Sequence, residues 1–414
     1  MTEWVSRFDG QVDVEGVISA EQLARVPAKR GVLALLAAGG EPIVLLTAAD
    51  MRGRLRSRLT APQDDKPTRS ADLRAVTRRV HYKLAYSHFE TDLVYAELAR
   101  AIWPERYGSL IAWKPAWFVQ AVRDEGVPHV VPTCRIGAGP GQCIGPFPAA
   151  RHARRFAGLI VEAFDLCRNV HLLKQAPHAR PCAYAQMGRC PSPCDGSISM
   201  ARYAEMVSEA LAYACGRRDA LRGDLRRRMR RAAEALEFER AAALKARLDR
   251  LAEFERDVYA HAEPLDRFIF LLIQPGGSVR KARAFVACGP EITPPATLDY
   301  PPEAEQIEAL LRRAAALAGR EQRWEPFGRL MAGLVSRYLF SSERRRGLIV
   351  RWEASMTAEA LRQAIEAAAD VLGLRAPAKG GKKPPVRSSK RVPSQERSDG
   401  HATQPGQSAR PGTS

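Results

Sequence analysis

The stretch RPCAYAQMGRCPSPC, Arg180 to Cys194, places Cys182, Cys190 and Cys194 within fifteen residues that also carry three prolines and a glycine. Proline and glycine disfavour long regular elements, so this segment is constrained by its thiols more than by a backbone ladder. Adding Cys167 gives a Cys-x14-Cys-x7-Cys-x3-Cys array. In a reducing compartment, four thiols so close in sequence point to a metal site. Thiolates are soft ligands that select zinc or an iron–sulfur cluster. Zinc ribbons grip with paired short knuckles, and only Cys190/Cys194 has that spacing. The uneven set on Pro/Gly-rich loops suits a bulkier iron–sulfur cluster at least as well. The competing reading is that some of these cysteines are small core residues.

The compartment is inferred from the rest of the chain. The first residues, MTEWVSRFDGQVDVEG, are polar and acidic with no apolar signal core. Apolar runs such as GVLALLAAGG are too short and broken to span a bilayer. The expectation is a cytoplasmic protein with reduced thiols and no membrane contact. The 64 Lys+Arg against 46 Asp+Glu leave a net charge of +18, which favours a polyanionic partner such as nucleic acid.

The fold class read from the pattern is α+β. Residues 31–47, GVLALLAAGGEPIVLLT, are two apolar strands joined by a Gly-Gly-Glu-Pro turn. MRGRLRSRL follows with a basic helical pattern, and FETDLVYAELARAIW repeats apolar residues at helical spacing up to Pro104. These make a small α/β module at 25–110. A linker and the cysteine segment occupy 111–200, loop-rich around GAGPGQCIGPFPAARHARR, with RFAGLIVEAFDLC as a helix delivering Cys167. Residues 201–257 are helical, and Ser199 is placed to cap the first helix. Within them, 217–256 are nearly all helix formers. Met229, Ala233, Leu236, Ala241, Leu244, Leu248 and Leu251 form an apolar stripe, compatible with one long helix or with two antiparallel helices broken near Leu236–Phe238. Residues 264–373 read as a further small α+β region, with Asp266, Asp299 and Asp370 too scattered for an acidic metal site. Residues 376–414 read as a disordered basic tail.

The cysteine segment resembles that of the UvrC family of the UvrABC excinuclease, whose members carry Arg-Pro-Cys, Gly-Arg-Cys and Pro-Cys after a further cysteine. Here these are Arg180-Pro181-Cys182, Gly188-Arg189-Cys190 and Pro193-Cys194, with Cys167 before them. Gly145–Pro148 is similar to the family's Gly-Pro-Phe/Tyr-Pro motif, and AAEALEFERAAALKARLDRL to its UVR motif. The resemblance runs from about Gly31 to Arg256. It implies that Cys167, Cys182, Cys190 and Cys194 hold a [4Fe–4S] cluster, with zinc as the alternative. It also implies a helical hairpin docking a UvrB-like protein through Leu236, Glu237, Phe238 and Ala241, and DNA as a partner.

The same resemblance implies a GIY-YIG nuclease fold for the N-terminal module, and its chemistry needs an activated water, charge compensation and a metal-binding carboxylate. Position by position, Leu33 stands for the first strand tyrosine, and Val44-Leu45-Leu46-Thr47 for the family's Tyr-Val-Gly-Lys. Arg54 matches the helix arginine and is the one retained catalytic candidate. Tyr95 stands for the metal-binding glutamate; Glu97 is turned about 200° and Glu90 about 140° from that face of a helix. Gly108 follows Tyr107 where the family has asparagine. The resemblance therefore implies a DNA-binding excision-repair protein whose nuclease module is non-catalytic or weakly catalytic. The RNase H-like and helix-hairpin-helix parts of the family are not recognised in this chain. Arg217, Arg218, Arg226, Arg227, Arg230 and Arg231, with Arg222 and Arg228 among them, are the candidate phosphate contacts; the alternative is a solvated helix face. The alternative functions are an active endonuclease making one incision beside damage, with Mg²⁺ required in that case, and a UVR-bearing interaction adaptor outside repair.

Overall fold

The computed structural model describes residues 3–14, 17–60, 73–136, 142–216 and 218–375; the predicted tail and Arg217 lie outside them. The fold is α+β, with three small sheets whose ladders are all antiparallel.

The first sheet has β1 (Gly10–Asp13), β2 (Gly31–Leu36), β3 (Pro42–Ala48) and β4 (Arg79–Leu84) in the order β1-β4-β2-β3. The Gly-Gly-Glu-Pro turn forms as expected, with Gly40 at φ +84 where a side chain would be strained. Along β2 alternate residues face opposite ways. Leu33 and Leu35 pack with Val12, Val80, Leu23 of α1 (Ala20–Ala24), and Met51, Leu55 and Leu59 of α2 (Met51–Leu59). These last three sit at i, i+4 and i+8, which is why an arginine-rich nonamer folds as a helix on a sheet. Val32, Ala34 and Leu36 face the other way, onto Leu98 and Ala99 of α3 (His88–Ile102). Ser87 caps α3 by accepting from the Glu90 amide at 3.0 Å. A short helix, α4 (Tyr107–Leu110), follows.

The stretch expected to be loop-rich holds three strands of a second sheet, β5 (Trp117–Asp124), β6 (Val127–Thr133) and β7 (Cys143–Phe147), completed by β8 (Glu263–Pro264) from later in the chain and ordered β6-β5-β7-β8. Glu125 and Gly126 turn the β5–β6 hairpin with φ +50 and +83, the positive values that a two-residue hairpin loop demands. Pro128 and Pro132 are tolerated because β6 is an edge strand. Over this sheet pack α5 (Ala150–Ala163), α8 (Met200–Ala214), α9 (Asp219–Glu234) and α10 (Phe238–Ala252), with the short α6 (Val170–Leu173) and α7 (Ala183–Gln186) between α5 and α8. Phe156 lies 4.9 Å from Phe147, 5.1 Å from Phe254 and 5.0 Å from Tyr259, ring centre to ring centre. Ser199 caps α8, accepting from the Arg202 amide at 3.2 Å.

The third sheet runs β11-β10-β9-β13, with β12 also on β10: β9 (Ile269–Pro275), β10 (Lys281–Cys288), β11 (Glu291–Ile292), β12 (Ala296–Asp299) and β13 (Leu348–Arg351). One face is covered by α11 (Ala304–Ala318) and α14 (Ala358–Ala367). The other meets α12 (Pro326–Leu339) and α3, and α13 (Glu343–Arg346) follows α12. Phe89 of α3 is 5.2 Å from Phe285 and 5.3 Å from Tyr338. Thus α3 is buried on both flanks, one against the first sheet and one against the C-terminal layer.

Candidate functional site

The strand position where the family has its first tyrosine is a core position here. Leu33 is fully buried and pairs across the ladder with Leu46, beneath α1 and α2. Arg54 lies on the solvent side of α2 and makes no side-chain hydrogen bond or ion pair among the described residues. Tyr95 turns its phenol toward the Leu110 carbonyl at 3.4 Å, and burial raises its pKa. Glu97 is solvent-exposed in surface area but borders a cavity of about 460 Å³ with Arg100, Arg320 and Arg323. The surrounding protein raises its pKa against the pull of Arg7 and Lys83. Glu90 is 3% exposed and held by Arg283 at 2.8 Å. Arg54, Tyr95 and the two glutamates thus sit in four different environments. In the C-terminal layer, Asp299 pairs with Lys281 at 2.6 Å and Asp370 with Arg375 at 3.4 Å, while Asp266 lies in a short 3-10 turn. Among the described residues no three His, Cys, Asp or Glu side chains reach metal-binding spacing.

The cysteine segment is assembled by short contacts from its flanks. Cys167 follows α5 by four residues, and its amide donates to the Tyr203 phenol of α8 at 3.2 Å. Arg168 donates to the Arg189 carbonyl at 3.0 Å and lies 4.6 Å from the Tyr184 ring, pinning α7 against the start of the segment. Ala179 donates to the Cys194 carbonyl at 3.0 Å. Cys167, Cys190 and Cys194 are buried, while Cys182 is half-buried at the head of α7. The Cys190 thiol nearby and burial raise the pKa of Cys167, whose own thiol donates to the Asn169 carbonyl at 3.4 Å, while Cys167, the Ser192 backbone and Arg168 lower that of Cys190. The donors are therefore right in kind for a soft metal, and among the described residues the set is not drawn to ligation distance. Sequence reasoning passed over Arg168 and Tyr203. Arg168 was signalled only by its place directly after Cys167, and Tyr203 by nothing short of the fold.

Residues 219–252 form a hairpin and not one long helix. The break falls at Ala235–Glu237, with Leu236 in the left-handed region at φ +60. Leu236 and Phe238 are 70% and 68% exposed at its tip. Glu237 pairs with Arg240 at 2.8 Å, and Ala241 packs inward on the hairpin core. The expected stripe is corrected at two points. Ala232 is buried and Ala233 exposed, while Leu236 points to solvent because the chain reverses there. The arginines also divide. Arg222 pairs with Glu255, Arg227 and Arg228 with Asp224, and Arg218 has its Nε buried without a hydrogen bond. Arg226, Arg230 and Arg231 are exposed and make no ion pair among the described residues.

Residues 115–213, which hold β5, β6 and β7 of the second sheet, the four cysteines of the array and all but the last residue of α8, match the family model described as UvrC/Cho excinuclease, middle domain. The chain is similar to UvrABC system protein C of Sphingopyxis alaskensis, 29% identical over 293 residues, covering 69% of this chain and 45% of that one. It is also similar to those of Desulforudis audaxviator, 31% identical over 55% of this chain and 36% of that one, and Moorella thermoacetica, 29% identical over 60% and 41%. No solved structure matches. A UvrC/Cho-type middle domain, followed in the chain by a helical hairpin, defines the class. Over residues 115–213 the chain carries the UvrC family's middle domain, and it spans less than half the length of these curated relatives.

Proposed function

We propose that this chain is a DNA-binding protein of nucleotide excision repair that docks a UvrB-like protein through the tip of its hairpin and does not cut DNA with its N-terminal module. The observation that carries the non-catalytic reading is Leu33. A buried leucine under α1 and α2 offers no hydroxyl to a water or phosphate, and Tyr95 supplies a phenol where hydrolysis needs a carboxylate for a metal. Arg54 can compensate phosphate charge, but neither Leu33 nor Tyr95 supplies the activated water or the metal-binding carboxylate that hydrolysis needs.

Two apolar side chains exposed side by side at a two-helix tip suit burial in a partner's groove. Burying each is worth about 1.5–3 kcal/mol. We assign Cys167, Cys182, Cys190 and Cys194 to a [4Fe–4S] cluster, with zinc as the alternative. The group would supply four bonds cross-linking the α5 end, α7 and the loop before α8, a structural role in a segment with few ladder hydrogen bonds. The test of docking is capture of purified UvrB from the same organism by the full chain. Leu236→Asp with Phe238→Asp is expected to weaken capture at least tenfold. Unchanged capture would remove the docking assignment.

A further inference from the structure

We propose that the groove between α9 and α10 is a track for one phosphodiester strand, a site that rests on the DNA-binding reading above and is separate from the hairpin tip. The groove encloses about 390 Å³ and is lined by Arg222, Arg226, Arg230, Lys245, Asp249 and an apolar floor that includes Met229 and Leu248. Arg222, Arg226 and Arg230 stand at i, i+4 and i+8, one stripe of α9, and Lys245 faces them from α10. Asp249 is the only carboxylate in the lining.

A stripe of like charges one turn apart costs a few tenths of a kcal/mol per pair in a free helix. Part of that cost is met by carboxylates: Asp224 serves Arg227 and Arg228, and Glu255, just beyond α10, serves Arg222 of the stripe itself. Arg226, Arg230 and Lys245 are exposed and make no ion pair among the described residues. Successive arginines are about 6 Å apart along the helix, so Arg226 and Arg230, with Lys245 facing them, present a row of cations to the phosphates of a strand laid along the groove. No aromatic ring lines the groove, so it offers no base stacking. The recognition is of backbone charge without sequence. A nucleic-acid strand is the favoured occupant because every repeat of its backbone carries a charge, which suits a groove with three cations unpaired among the described residues and one carboxylate.

The test uses the full chain and a fluorescently labelled random-sequence duplex, with binding measured by anisotropy from 50 to 200 mM KCl. Arg226→Gln, Arg230→Gln and Lys245→Gln are combined. Each phosphate neutralised contributes about 0.9 to the slope of log affinity against log salt. Over that range the wild type should therefore lose about 40-fold more affinity than the triple variant. Arg320→Gln, Arg323→Gln and Arg344→Gln, three exposed cations of the C-terminal layer, form the charge-matched control and should leave the slope unchanged. Leu236→Asp with Phe238→Asp should also leave it unchanged. The groove assignment is overturned if the triple variant keeps the wild-type slope, or if the control lowers it equally. Loss of UvrB capture by the triple variant with unchanged DNA binding would reassign the groove to an acidic protein. If the wild type binds no duplex, the DNA-binding reading falls together with the groove.

Discussion

Replacing Arg283 with methionine should unseat the C-terminal layer from α3. Glu90 is 3% exposed and Arg283 about a quarter exposed, and they meet through two nitrogens, Nε at 3.1 Å and Nη2 at 2.8 Å. The second Glu90 oxygen accepts from the Tyr86 amide at 2.8 Å. Methionine keeps the aliphatic stem but leaves a buried carboxylate with one neutral donor. Breaking a buried pair in this way costs about 3–5 kcal/mol; the partial exposure of Arg283 puts the expectation at about 3 kcal/mol. Glu90→Gln alone should also destabilise, by removing the partner of the guanidinium. The double variant, with no buried charge and the Tyr86 amide still satisfied, should recover about 2 kcal/mol of the summed losses. Urea unfolding followed by circular dichroism reads all three. A loss below about 1 kcal/mol for Arg283→Met, or strict additivity in the cycle, would show that the pair does not join the two layers.

Anaerobic purification should yield a brown protein with iron and sulfide, and Cys190→Ser or Cys194→Ser should lose both. Stoichiometric zinc in a colourless protein would select the alternative metal, and a metal-free chain of normal stability would reject the site. His261 gives a pH signature. Burial, reinforced by Arg351 and Arg346, lowers its pKa from 6.5 to about 4. The unfolded chain therefore takes up the proton first, so His261 favours folding above pH 6.5. That contribution, about 3 kcal/mol at most, is lost as pH falls toward 4. His261→Gln should flatten unfolding midpoints between those pH values, and an unchanged slope would contradict the burial.

Much of the outer architecture was legible from residue pattern. The Gly-Gly-Glu-Pro turn, the apolar repeat ending at Pro104, and Ser199 before α8 each marked an element that forms. The C-terminal layer was legible as a further α+β region, its strands β9 and β10 as continuous apolar runs and its helices α11 and α12 as amphipathic repeats. The second sheet was obscured by Pro128 and Pro132, which argue against a strand until β6 is known to be at an edge. The small elements β1 and α1 were too short to show a period, yet they supply the cover over Leu33. The family resemblance, and not periodicity, decided that 217–256 bends. Of the site, the thiol spacing was visible in sequence. Which arginines are already paired was not, since Glu255 lies 33 residues from Arg222.

The central claim is that the N-terminal module does not cut DNA while the cysteine segment and the helical hairpin serve repair. It is tested most directly by incubating the full chain with damaged duplex DNA, UvrB, and Mg²⁺ or Mn²⁺, and comparing wild type with Arg54→Ala. The account predicts that the chain adds no incision with either protein. Incision by the wild type that Arg54→Ala abolishes would contradict it.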